Sequence, residues 1–161
     1  MDSKLNYAIE LRDQGKNEEW NQLMVELVKE FPHEPQIQYL CAWSFDRLGK
    51  ELEAVPYYES AIAQGLTGED LEGAYLGLGS TYRTIGKYLD SKAVFEKGME
   101  VFPGNHALKV FYAMTLYNLN EHEKAMELLL TSLVETTNNE DVLLYKRAIQ
   151  FYSDKLNQTW S

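Results

Sequence analysis

One cysteine, four prolines and only fifteen basic residues in a chain of 161 define what this protein is not. A lone Cys41 cannot close an intramolecular disulfide, and a free thiol fits a reducing cytoplasm. No apolar run approaches the roughly 18 residues of a membrane span. The N-terminal MDSKLNYAIELR lacks the basic start and continuous apolar core of a secretory signal, so the cytoplasm is the expected compartment. The basic residues are outnumbered by 25 acidic ones, for a net charge of −10. Residues 1–80 carry 6 Lys+Arg against 15 Asp+Glu, a net of −9, whereas residues 81–161 carry 9 against 10, a net of −1. That balance disfavours phosphate backbones and anionic lipid, so neither nucleic acid nor membrane is expected as a partner.

What the chain does have is apolar and aromatic. Its hydrophobic fraction of 45%, with eleven Tyr and three Trp, is that of a folded protein, sized for one compact domain or one short solenoid. The most patterned stretch is residues 72–103, EGAYLGLGSTYRTIGKYLDSKAVFEKGMEVFP. Tyr75, Leu78, Gly79 and Tyr82 lie three, four and seven apart and share one helix face. Gly79 leaves room for a close helix, and Gly86 ends the first helix because glycine enters the left-handed region without steric cost. Tyr88, Ser91, Phe95 and Gly98 mark the inner face of a second helix, which Pro103 stops. Two antiparallel helices follow from the spacing alone.

The same residues, aromatic-x2-Leu-Gly-x2-Tyr, then small-x3-Phe, then Pro, resemble the tetratricopeptide repeat, with Ser91 in place of the usual Ala. The resemblance implies an all-α fold, a right-handed solenoid of helix-turn-helix units. Sliding the unit along the chain gives four repeats, about 1–34, 35–71, 72–105 and 106–139, in a single domain over 1–161. A capping helix is expected over about 140–157.

The first repeat is irregular. Ala8 and Leu11 keep their slots, Lys4 takes an aromatic one, Trp20 a small one, and Gly15 and Pro32 close its two helices. In the second, Cys41, Ala42, Phe45, Ala54, Tyr58 and Ala61 hold the slots, and Cys41 reads as an inert buried thiol. Pro56 is expected to delay or kink the helix around it. Gly49 and Gly86 stand 37 residues apart, three more than the usual period of about 34, and the surplus is assigned to a loop at GLTGED. Thr67, with Asp70 three residues on, is placed to cap the next helix. In the fourth repeat Ala113, Leu116, Ala125, Leu129 and Ser132 take core slots. Asn120 replaces the turn glycine, and Asn138 or Asn139 is placed to cap the last helix. That helix carries more apolar residues than one buried face uses, with Trp160 beyond it, which points to self-association or a docked partner, or equally to a deeper seat against the fourth repeat.

No catalytic constellation emerges. His33, His106 and His122 have no ligand-type residues at metal spacing on a shared helix face, so no metal or other cofactor is expected. Gly73, Gly77 and Gly79 lie inside a helical pattern with no strand before them, which excludes a dinucleotide loop. Ser80 has neither the flanking glycines of a nucleophile elbow nor a paired histidine. The chain reads as a non-enzyme.

By the resemblance, the first helix of each repeat lines a concave groove that takes peptides. Slot by slot this implies Leu5, Ile9, Arg12 and Asp13, then Tyr39, Trp43, Asp46 and Arg47, then Leu76, Ser80, Arg83 and Thr84, then Val110, Met114, Tyr117 and Asn118. The candidate site is Tyr39, Trp43, Arg47, Leu76, Ser80, Arg83, Val110, Met114 and Tyr117. Trp, Tyr and Arg are the side chains that most often dominate binding energy, although Tyr39 and Trp43 occupy slots shared with the inter-repeat core. One subfamily clamps the acidic C-termini of heat-shock chaperones with Lys, Asn, Asn, Lys and Arg. Those slots hold Leu5, Ile9, Leu40, Gly73 and Gly77, or, one repeat on, Tyr39, Trp43, Gly77, Ala107 and Phe111, so that activity is excluded. The expected function is a scaffold that binds a protein or peptide in an aromatic, arginine-containing groove. The alternative is a homo-oligomer, such as a homodimer, built through the groove or the C-terminal helix.

Overall fold

The computed structural model describes residues 1–161 and contains helices only. They are α1 (Asp2–Asp13), α2 (Asn17–Glu30), α3 (Pro35–Arg47), α4 (Glu51–Ala63), α5 (Gly68–Thr84), α6 (Tyr88–Val101), α7 (His106–Asn118), α8 (His122–Thr136), α9 (Glu140–Leu144) and α10 (Lys146–Tyr152). None is long and apolar enough to cross a membrane. The helices group into two compact units, residues 1–87 and 88–161, with the boundary between α5 and α6.

The turn within each of the four helix pairs is built alike. Gly15, Gly49, Gly86 and Asn120 have φ of 72°, 68°, 81° and 60°. In each turn this residue and the next donate their N–H groups back to the helix end, as Gly15 does to Arg12 O and Lys16 to Leu11 O. The last orphan carbonyls are thereby satisfied in a Schellman-type closure.

In the first unit, Ala8, Leu11, Trp20, Met24, Leu27, Ile37, Cys41 and Tyr58 are buried. Trp20 fills its atypical slot completely and meets Trp43 edge-on. Lys4, in an aromatic slot, instead pairs with Glu30 at 2.6 Å. Asn21 Nδ2 donates to Ser44 Oγ (2.9 Å), which donates to Cys41 O (2.7 Å), so a buried polar chain joins α2 to α3. In the second unit Phe95 and Leu108 are buried, and Ser91 and Thr115 share a buried hydrogen bond of 2.8 Å between α6 and α7. Ala113, Leu116 and Ala125 form a core with Tyr112 and Leu128 against it.

Several expectations are corrected. The surplus of the second repeat is not a loop: the link from α4 to α5 is four residues, 64–67, as long as 31–34 and 102–105. The extra residues lengthen α5 to 17, beside 13 in α3 and in α7. Glu69 and Asp70 sit in its first turn, where carboxylates suit the helix dipole. Thr67 stands at the N-cap position but its hydroxyl caps nothing, and Asp70 instead accepts from Gln36 Nε2 of α3 at 3.1 Å. Pro56 does not delay α4, which starts at Glu51. Pro56 and Leu52 both lie on the exposed side, where the carbonyl left without a partner faces solvent. Leu129 is exposed rather than in the core. The single capping helix is two short ones, broken at Tyr145 (φ −105°, ψ 16°), whose N–H closes a tight turn onto Val142 O. Asn139 does cap α9, its Oδ1 accepting from Val142 N–H at 3.2 Å.

Candidate protein-binding surface

In the first unit α3 lies between α2, α4 and α5, so its side chains divide between packing and surface. Tyr39 goes to packing. It is 9% exposed, its ring is tilted against Tyr58, and its hydroxyl occupies the space where a Cβ on Gly73 would sit. Burial and the nearby Asp70 carboxylate push its phenol above the ordinary range.

Trp43, one turn along, is half-buried. Trp20 holds its ring edge-on at 5.6 Å, Tyr39 stacks on it at 6.2 Å and 25°, and the Arg12 guanidinium lies 5.1 Å from its centroid. Arg12 is itself fixed by Asp13, with its Nε donating to Oδ1 at 2.9 Å. Three neighbours from α1, α2 and α3 therefore hold one indole in place with part of its surface in solvent. Cation–π contacts of this kind contribute about 0.5–1 kcal/mol at exposed sites.

Arg47, four residues after Trp43 on the same helix face, is exposed and makes no ion pair. Arg83 ends α5 and is half-buried, as are Leu76 and Ser80. Ser80 also accepts from Thr84 Oγ1 through its carbonyl at 3.0 Å. Asp46 is committed internally. It accepts from the Tyr58 hydroxyl (2.6 Å) and from Thr81 Oγ1 (3.0 Å), joining α3 to α4 and α5, and burial lifts its carboxyl above the usual carboxylate range.

In the second unit Val110 is half-buried, whereas Met114 and Tyr117 are exposed. The Tyr117 ring meets His122 edge-on at 4.9 Å. Cys41 is fully buried, and desolvation pushes its thiol up to about 12, leaving it protonated and unreactive at neutral pH. The Arg12–Trp43 pairing was not foreseen from sequence. Its one signal is that Arg12 precedes Gly15 by three residues, as Arg83 precedes Gly86.

Helix pairs closed by a repeated left-handed turn, with aromatic side chains on the first helix of each pair and an arginine on three of the four, define an α-solenoid repeat protein of the kind that binds other proteins. The chain belongs to the tetratricopeptide repeat family: the family profile described as Tetratrico peptide repeat matches residues 35–156. The irregular first repeat lies outside that match. Two solved structures share the fold, "MamA RS-1 ArsTM double mutant" and "MamA 41-end from Desulfovibrio magneticus RS-1". Each aligns with a TM-score of 0.76 over 97% of this chain and 86% of that chain, at 14% identity, which shows likeness of fold alone. No curated protein sequence matches the chain. Tetratricopeptide repeat proteins are in general non-catalytic interaction scaffolds, and this chain is a protein-interaction module by fold.

Proposed function

We propose that the chain is a non-catalytic, cytoplasmic scaffold that holds an extended peptide or a partner helix on the first helices of its repeats. Trp43 is the anchor, and Tyr39 and Leu76 support the apolar floor beside it. Arg47 and Arg83 orient a carboxylate of the ligand, preferably through paired N–H donors, and Ser80 supplies a polar contact between them. Val110, Met114 and Tyr117 of the second unit offer a further apolar contact set, with Met114 adaptable to varied partners. The observation that carries this reading is the half-buried Trp43, immobilised by Trp20, Tyr39 and Arg12 one turn from the unpaired Arg47. A pre-positioned aromatic next to a free guanidinium is the composition of a binding hot spot.

The test is retention of a partner by wild type and by Trp43→Ala, with Leu89→Ala, an exposed residue outside this surface, as control. A partner held by wild type and control should bind Trp43→Ala more weakly by at least about 1–2 kcal/mol in titration calorimetry. Equal affinity for all three proteins removes Trp43 from the site.

A second reading, assembly of the chain with itself, is favoured by a separate observation. Ten of the seventeen exposed large apolar side chains lie between Met126 and Trp160.

A further inference from the structure

The last two helices are apolar without being buried. Neither α9 nor α10 contains a buried residue, and between them Leu143, Leu144, Tyr145, Phe151 and Tyr152 are exposed, Leu144 to 75%. Trp160 folds back onto this end, its ring 6.1 Å from Phe151 and 5.6 Å from Tyr152, and is still 59% exposed. The helix that α10 packs against is α8. The pair follows α8 as α3 follows α2, and its outer side chains stay open. In the first unit the corresponding α3 is enclosed by α2, α4 and α5.

The charges on this end have a pattern that an apolar patch alone does not require. Glu140, Asp141, Lys146 and Arg147 are all exposed, and none of them takes part in an ion pair. Residues 140–161 carry three acidic and three basic side chains, a net of zero on a chain of net −10. The acids and bases are also placed symmetrically about one point. In an antiparallel pairing of two copies centred between Leu143 and Leu144, Glu140 of one copy comes level with Arg147 of the other, and Asp141 level with Lys146. The same register puts both leucine pairs at the centre. One face is thus complementary to itself, as a two-fold interface requires.

The area agrees. Taking about 200 Å² for a whole aromatic side chain, Tyr145, Phe151, Tyr152 and Trp160 leave roughly 400 Å² of ring surface open. That is half of the roughly 800 Å² per partner in a standard stable interface before any leucine is added. A neutral face also avoids the like-charge repulsion that the rest of the chain presents to a second copy.

We propose that α9 and α10 form an isologous interface with the same helices of a second copy, antiparallel about a two-fold axis between Leu143 and Leu144. This rests on the self-assembly reading above and specifies its face and register. The second copy covers the apolar side chains that α9 and α10 leave open.

The test is solution mass by light scattering over a hundredfold concentration range, for wild type, Leu144→Asp, the double reversal Lys146→Glu/Arg147→Glu, and the fourfold swap adding Glu140→Lys/Asp141→Lys. All four positions and Leu144 are exposed, and circular dichroism checks that each variant stays helical. The expected result is a wild-type dimer, a dissociation constant raised at least about thirtyfold by Leu144→Asp, weakening by the double reversal, and recovery in the fourfold swap. A dimer that Leu144→Asp leaves intact overturns this face while self-assembly itself stands. Loss in Leu144→Asp with no response to the charge reversals overturns the antiparallel register. A wild-type monomer at every concentration overturns the self-assembly reading together with this interface.

Discussion

The Tyr58 hydroxyl donates to a carboxylate oxygen of Asp46 across 2.6 Å, and Thr81 donates to the same group from α5. One half-buried carboxylate thus joins three helices of the first unit. Tyr58→Phe removes the shorter of these bonds while keeping the ring. Stability is expected to fall by about 1–3 kcal/mol, because a desolvated acceptor loses a donor, and denaturant unfolding measures it. The carboxyl is held above its ordinary 3.8 by burial. The folded chain therefore keeps this proton longer than the unfolded chain, and stability from this group falls as pH rises just above 3.8. Asp46→Asn should remove that part of the slope.

Gly77 makes room for the same tyrosine. A Cβ there would lie 2.5 Å from Tyr58 Cζ, against a ring that is buried and bonded to Asp46. Gly77→Ala gains about 1 kcal/mol in helix propensity, but overpacking costs about 1–3 kcal/mol, so the expected net change is a loss. Gly104→Ala, with nothing within 4 Å of the added carbon, should leave the melting midpoint nearly unchanged.

Asn120 carries φ of 60° in the turn where the other pairs have glycine. Asn120→Gly should hold or slightly raise stability. Asn120→Ala should cost about 1 kcal/mol, because the left-handed region is strained for a residue with a Cβ and no side-chain hydrogen bond. Thermal melts of the two variants separate these outcomes.

Cys41 ordinarily ionises at 9.0 and is held up to about 12 by desolvation. The unfolded chain releases this proton first, so its contribution is intact below pH 9 and falls by about 1.4 kcal/mol per pH unit between 9 and 12. Cys41→Ala should flatten the alkaline limb of the stability profile, and thiol labelling at neutral pH should proceed only at the rate of unfolding. A thiol that reacts at once in the native protein contradicts this burial.

Much of the fold was legible in local chemistry. The turn residues Gly15, Gly49, Gly86 and Asn120 were readable because each must adopt a backbone conformation that few residues tolerate. Asn139 was readable as a cap because its side chain bonds a backbone amide three residues on. The extra turn of α5 was not, since GLTGED has the composition of a loop, and the Asp70–Gln36 contact that ties its first turn to α3 spans 34 residues of sequence.

The binding surface divides the same way. The sequence placed Tyr39, Trp43, Asp46 and Arg47 on α3 but could not apportion them, because adjacent positions on one helix reach either a neighbour or solvent. Gly73 decided Tyr39 by opening a cavity for its hydroxyl 34 residues away, and Tyr58 and Thr81 decided Asp46.

By itself the sequence determined that this chain is an all-α repeat protein of paired helices, since period, turn residues and caps act within a few residues of each other. Tertiary structure alone decided which of the shared aromatic and charged positions are packed and which stay open. It also decided that Leu129, Leu144 and Phe151 lie uncovered. Burial is a property of what stands opposite a side chain, and the spacing of residues along one helix does not contain it.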